Sequence, residues 1–544
     1  MGNRHGALIV PTAPVWLRWT WLLPAAFLGV FLVYPVIVLA VTVADSGAEG
    51  MLGRLTEPAI WQVTGLAVVQ ALASTAVALV VGLPLANVAS RYRFRGRALT
   101  QAMVTVPFVL PTVVVALAIR SLFGSGAPQG FWIVVLAHAY VNLAVVARIV
   151  GAQWAQHSGD YESVARTLGA TRWRAFVDVT LPSLRSAIAT SAAVVFVFSF
   201  TSLGIVLLLG DPMTRTLESQ ILRQTSVLLD FPGAAVTAVI QLVIVTLVLL
   251  LGAMAARRAP TRRGKPVALR PLPAAFIGRF AVIATAVAGL AIVLAPVVAL
   301  VVASLRGSRG WTVGWWSSLG SIDAGTTRLG SPGAAIGISL TYAVVTAIIA
   351  AIIGTLAAMA VLTTGRSRIL VILAIVPLGV SAATLGLGTL LAFGRPPVDL
   401  RATGLLIPLA HSLVAIPLVV AVVAPGLRST DARLAAVAAT LGARPSRAFW
   451  TAYGPVLRIV VVASAALAGA VSLGEFGAAA FLGRATSPTV PVQIVRLLSR
   501  PGEQSLGVAA VLAVVLVVIT LVVVLLVDRW GAPARRTTRQ EAIA

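Results

Sequence analysis

Few side chains in this sequence could do chemistry, and most of those stand inside apolar runs. Glu475, in "SLGEFGA" (472–478), is the one acid of a long uncharged stretch. A carboxylate there must face the protein interior or water, where it either helps pass a cation or bonds a neighbouring helix. His138 and His411 each stand alone in an apolar run. Such a histidine is either a gate residue or, more commonly, a packed one whose hydrogen bonds are met. Pro107 and Pro111, in "VPFVLPTVVV", bend a helix and free backbone carbonyls, near a gate or simply as a packing kink.

The absences narrow the chemistry further. No G-x-x-x-x-G-K-[ST] occurs, and "RRGKPV" lacks the upstream glycine and the hydroxyl residue of a phosphate loop. There is no H-E-x-x-H, and four histidines without a cysteine make no structural metal site. No nucleophile, base and acid fall into a set. The chain therefore carries no metal or cofactor site and no ATP site of its own, and any energy must come from another subunit.

The elements that hold these residues are membrane spans. Of 544 residues, 59% are hydrophobic and 10% charged, against about 25% charged in a soluble domain. Apolar runs long enough to cross the ~30 Å hydrocarbon core recur along the whole chain. Twelve are expected, at 19–44, 60–88, 99–119, 131–150, 184–208, 232–256, 275–303, 335–361, 369–393, 403–424, 457–482 and 505–527. The first is too long for a signal-peptide core and lacks a small-residue cleavage site after it, so it reads as a retained span. The net charge of +25 does not mark a nucleic-acid partner, because the basic residues cluster in alternate loops. With both termini in the cytoplasm, 28 Arg and Lys fall on the inner side and 12 on the outer, as the positive-inside rule requires.

The Arg- and Pro-rich segment 257–272 has no apolar period and reads as a cytoplasmic linker between two repeats, 1–256 and 273–544. A shift of 273 pairs His138 with His411, Gly169 with Gly442, Pro182 with Pro455, Ser199 with Ser472 and Gly204 with Gly477. A shift of 270 pairs Pro107 with Pro377. Six spans per repeat is an even number, so the repeats run parallel, related by an axis along the membrane normal, with a pathway between them. Ser202 stands where the second repeat has Glu475, which excludes a symmetric acidic ring.

Between the fourth and fifth span of each repeat lies a charged strip. Tyr161, Val164, Ala165 and Leu168 are spaced i, i+3, i+4, i+7, and Leu434, Val437, Ala438 and Leu441 repeat that spacing. Ser158 and Asp431 stand where a helix would be capped, and Gly169 and Gly442 where a left-handed residue ends one. A second short helix follows, and Pro182 and Pro455 are expected to stop it before the next span. An apolar stripe this short cannot span a membrane. It lies on its own bundle or among lipid headgroups, or it docks a two-fold partner, which two aligned copies favour.

The strips resemble the cytoplasmic loop of binding-protein-dependent ABC importer permeases, which reads E-A-A, three residues, G, nine residues, I, one residue, L-P. Here the first copy is Ser163-Val164-Ala165, Gly169, Val179, Leu181, Pro182, and the second Ala436-Val437-Ala438, Gly442, Ala452, Gly454, Pro455. The leading Glu is absent from both, although Glu162 is one residue away. The resemblance implies an all-α membrane protein of about 12 transmembrane helices in two six-helix repeats, the type I importer permease fold. It implies that the strips seat in two cytoplasmic ATP-binding subunits, which hold ATP and magnesium, and that an extracytoplasmic solute-binding protein delivers the cargo. "VPFVLPTVVV" and "SLGEFGA" most resemble thiamine-type and iron(III)-type permeases, thiamine slightly ahead. The expected product is a multi-pass translocation subunit of the plasma (inner) membrane, in contact with lipid and with no nucleic acid. A major-facilitator secondary transporter is the competing class, but "RYRFRGR" lacks its G-x-x-x-D-R-x-G-R pattern and that class does not explain paired strips. A membrane-embedded enzyme or scaffold is a remote third.

Overall fold

The computed structural model describes residues 14–45, 47–156, 160–257, 269–320, 331–363, 380–394, 399–484 and 486–540. Among them ten helices are long and apolar enough to cross a membrane, and eleven crossings result if one bent pair counts as a span. Of the expected span 369–393 the described part is helical over Ala382–Phe393, and Pro377 lies outside the described residues, as do Ser158 and most of the linker 257–272. The strands among the described residues form one short hairpin, Arg306–Gly307 with Gly310–Trp311.

Three expected spans are not the continuous rods their hydropathy suggests. The third is two helices, Arg97–Val109 and Thr112–Phe123, meeting at 109°. Leu110 is extended (ψ 139°) and Pro111 follows it with ψ 137°. A residue before proline is driven out of the α region, so Pro111 breaks the helix at Leu110, whereas Pro107 is accommodated within the first arm. The fifth span runs to Phe200 and resumes as Gly204–Leu209, and the eleventh runs to Gly474 and resumes as Gly477–Leu482.

Pro182 and Pro455 do not stop a helix either. The first strip's second helix begins at Arg172 and passes through a π turn, Phe176–Thr180, straight into Leu181–Phe200. The wider i→i+5 turn leaves room for the Pro182 ring. Pro455 lies inside one helix, Pro445–Gly474. In both repeats the strip's second helix is therefore continuous with the span that follows.

The chain packs as two compact units that do not divide it as the sequence repeats do. One is Ala48–Val313; the other joins residues 1–47 to 314–544. In the first unit the seventh span, Phe276–Ala303, lies against both arms of the bent third span and against the second span, where Leu85 touches Gly289 closely enough to leave no room for a Cβ. In the second unit the first span, Val15–Ala44, lies against Ala382–Phe393, with Pro35 and Leu39 crowding Gly388 and Phe31 and Tyr34 beside Phe393 at 5.5 and 5.6 Å. Each repeat thus contributes its opening span to the unit that holds the other repeat's remaining spans.

Within each unit the second, fourth and fifth spans pack closely, and small residues allow it. A Cβ on Gly82 would meet Val146 at 2.7 Å, and one on Gly354 would meet Val419 at 2.6 Å. In membranes such close approach replaces the hydrophobic drive that holds soluble bundles together.

Candidate functional site: two docking strips and two polar clamps

The first strip is the helix Asp160–Thr167, ended by Gly169 at φ +89°. The Ala170 N–H donates to the Ala165 carbonyl at 3.0 Å and the Gly169 N–H to that of Arg166 at 3.1 Å, a left-handed C-cap that satisfies the last carbonyls. Thr171 caps the next helix by accepting from the Arg174 N–H at 3.2 Å. The second strip repeats the design. Asp431 accepts from the Arg433 N–H at 2.9 Å and caps Ala432–Thr440. Gly442 follows at φ +84°, with the Ala443 N–H donating to Ala438 at 3.0 Å.

The apolar stripes are largely exposed. Val164 and Leu168 are 54% and 82% exposed; Val437 and Leu441, at the equivalent places, are 55% and 82% exposed. Tyr161 and Leu434 are exposed likewise, as are Ser163 and Ala436, while Ala165 and Ala438 are half-buried. An added Cβ at Gly169 or Gly442 would meet nothing within 4 Å. Backbone conformation, not space, requires glycine at these corners. Leu181 is half-buried at the start of the fifth span.

The two histidines anchor buried clamps. In the first unit Gln70 Nε2 donates to His138 Nδ1 at 2.7 Å and to Ser74 at 2.8 Å, while Asn142 Nδ2 donates to the His138 carbonyl at 2.9 Å and to Ser199 at 3.3 Å. The second, fourth and fifth spans are joined by this network, all of whose members are buried. In the second unit His411 Nδ1 lies 2.9 Å from Ser472 Oγ, which donates to Thr346 at 3.1 Å; Thr346 donates to the Pro408 carbonyl at 3.3 Å. The same three spans of the other repeat are tied by this second network.

Glu475 lies in the break of the eleventh span, half-buried, and its Oε1 accepts from the Ala478 N–H at 3.3 Å, capping Gly477–Leu482. Ser202 lies in the matching break of the fifth span and is buried. The breaks meet the second arm of the third span and the helix Ala382–Phe393. A Cβ on Gly204 would collide with Thr112 and Val113, and one on Gly477 with Ala382 and Ala383. Ser202 and Pro111 thus flank the contact of Gly204 with Thr112 and Val113, Glu475 stands beside the contact of Gly477 with Ala382, and Pro107 lies within the first arm of the third span.

Residues 78–263 match the family model described as binding-protein-dependent transport system inner membrane component. The sulfate transport system permease protein CysT of Salmonella typhimurium is 31% identical over 185 residues, 32% of this chain and 67% of that protein. This chain belongs to that family. The Escherichia coli CysT is 28% identical over 41% of this permease and 86% of its own length. The thiamine transport system permease protein ThiP of Salmonella typhimurium is 30% identical over 37% of this permease, and the match spans 40% of that relative. A bacterial alginate ABC transporter crystallised with its pentasaccharide-bound periplasmic protein has a chain 18% identical over 46% of this permease and 96% of that chain, with a TM-score of 0.38. The chain is a multi-pass inner-membrane permease of an ATP-driven importer, without catalysis of its own, and the secondary-transporter reading is set aside.

Sequence reasoning singled out the strips, the histidines and Glu475 but not the partners that tie them. Gln70, Asn142 and Thr346 were invisible because single polar residues in long spans carry no spacing signal. Ser199 and Ser472 did carry one, as a pair conserved across the internal repeat.

Proposed function

We propose that the strips at 161–182 and 434–455 seat in two separate ATP-binding subunits on the cytoplasmic face, and that nucleotide-driven motion of those subunits runs this permease through alternating access. ATP and magnesium belong to the partner subunits, and an extracytoplasmic solute-binding protein delivers the cargo. The observation that carries this reading is the pair of equivalent exposed positions, Val164 with Leu168 and Val437 with Leu441, each followed by a left-handed glycine corner and then by a helix that runs into the next span. An exposed apolar patch in a fixed geometry marks an interaction site, and two copies suit a two-fold partner. The basic loops support cytoplasmic termini.

Thiamine is the cargo this reading favours, supported by the similarity to ThiP. A tetrahedral oxyanion is the second reading, favoured by the larger share of the sulfate permease that matches. Iron(III) rests on motif likeness alone. Purified permease with its ATP-binding subunits and binding protein, in liposomes, tests both levels. ATP-dependent uptake of labelled thiamine supports the first reading and of sulfate the second. Uptake by the chain alone under an ion gradient contradicts the function.

A further inference from the structure

We propose that Glu162 is a positioning residue that latches the first docking strip to the end of the second span and to the chain entering the seventh, a device the second strip replaces with apolar packing. The inference rests on the docking role of the strips.

Glu162 Oε2 accepts from Arg91 Nη2 at 2.8 Å, and Arg270 Nη1 stands 4.0 Å away. Arg91 is the last residue of the second span, Pro58–Arg91, and its side chain is 9% exposed, that of Glu162 26%. A charge-assisted bond held this far from water is stronger and less screened than a surface ion pair. The backbone completes the junction. The Arg270 N–H donates to the Arg91 carbonyl and the Arg93 N–H to the Arg270 carbonyl, both at 2.8 Å, pairing Tyr92 with Arg270 as a parallel bridge. Arg270 lies near the C-terminal end of the linker 257–272, so the covalent connection between the repeats reaches the same carboxylate that holds the strip. The stripe itself, Tyr161, Val164 and Leu168, stays exposed while Glu162 is engaged.

The second strip has Ala435 at the equivalent position, fully buried in a cluster with Leu427, Phe449 and Tyr453. Trp16 covers this strip's continuation, edge-on to Phe449 at 5.6 Å and stacked on Trp450 at 6.1 Å. The two strips are alike on the face they present and unlike in how they are held. Removing one charge therefore loosens one strip and leaves the other.

The chain has no cysteine, so engineered pairs report cleanly. In the complex with its ATP-binding subunits, spin labels at Arg166→Cys, off the stripe, and Leu99→Cys should give a single narrow distance. Glu162→Gln, or Arg91→Gln if the first variant folds poorly, should abolish it, while a Thr440→Cys and Arg428→Cys pair reporting on the second strip stays unchanged. The charge swap Glu162→Arg with Arg91→Glu should restore the narrow distance, which a role in packing alone would not. A narrow distance that persists in both Gln variants, or a swap that fails to restore it, overturns the latch. Disulfide capture of the ATP-binding subunit by Leu168→Cys is read separately. Its absence overturns the docking role on which the latch depends, and its presence with an unmoved distance overturns the latch alone.

Discussion

Leu168 and Leu441 stand 273 residues apart in the chain and are both 82% exposed, each at the foot of a glycine held near φ +85°. An 82% exposed leucine at a capped helix end is costly in a free chain, and the same cost incurred twice at equivalent places marks the face of an assembly. Because the helix after each glycine corner runs into the fifth or eleventh span, displacement of that face is passed across one short corner to a transmembrane helix.

Gly169→Val and Gly442→Val should each uncouple ATP hydrolysis from cargo-loaded binding protein. The strain comes from the backbone, about 1–2 kcal/mol for an L side chain in the left-handed region, since the space around both corners is open. Fold and assembly should survive, and the loss should appear in stimulation of the ATPase. Stimulation equal to wild type in both variants would count against the docking role.

The polar clamps should differ in their response to serine deletion. Ser472→Ala removes the link between His411 and Thr346, whereas Ser199→Ala leaves Asn142 its 2.9 Å bond to the His138 carbonyl. The first should lower stability by about 1 kcal/mol and the second by less, as read from thermal unfolding in detergent. A larger loss at Ser199 would contradict the assigned networks.

Close packing of the second and fourth spans makes a paired prediction. Gly82→Ala forces a Cβ to 2.7 Å from Val146 and should cost about 1–3 kcal/mol. Val146→Ala in the same chain should recover most of that. Gly354 and Val419 should behave alike, and failure of either rescue would show that the contact is not what excludes the side chain.

Asp230 supplies a pH dependence outside the spans. Burial pushes its carboxyl up, but hydrogen bonds from Arg54 at 2.6 Å and the Gly233 N–H at 3.1 Å, with the Arg54 charge, leave it below the ordinary range. A carboxylate held low when folded stabilises fully above its unfolded value of about 3.9 and ceases to as pH falls through the folded value. The tie of Arg54 to the sixth span should therefore be intact at neutral pH and weaken below about pH 4. Solvent reaches a third of the pair, so Asp230→Asn should cost at most about 1 kcal/mol at pH 7 and remove the acid dependence of unfolding assigned to this site.

The strips were legible in the sequence because their information is periodic and doubled. The i, i+3, i+4, i+7 stripe and the glycine after it need no tertiary context, and the repeat supplies a second reading of each. The breaks at 110, 201–203 and 475–476 were not legible, because hydropathy averages a two- or three-residue interruption into the long apolar runs on either side. Only Pro111 carried a local signal, and it pointed to a kink rather than a 109° turn. Membership of the first and seventh spans in the unit opposite to their repeat was hidden for another reason. A lipid-facing helix of uniform hydrophobicity bears no mark of the neighbour it chooses, and here that choice depends on Gly289 and Gly388 meeting Leu85, Pro35 and Leu39. Glu162 stood out as an acid in a basic strip, but its partner, Arg91, was one of four arginines in a loop already explained by membrane orientation.

Cysteine cross-linking of the assembled complex tests the central claim most directly. With Leu168→Cys and Leu441→Cys introduced singly into a chain that has no other cysteine, each should form a disulfide with a cysteine in the surface groove of an ATP-binding subunit. The yield should change between nucleotide-free and ATP-bound states. Capture by neither position, or labelling of both by an impermeant thiol reagent added from outside intact cells, would contradict the account.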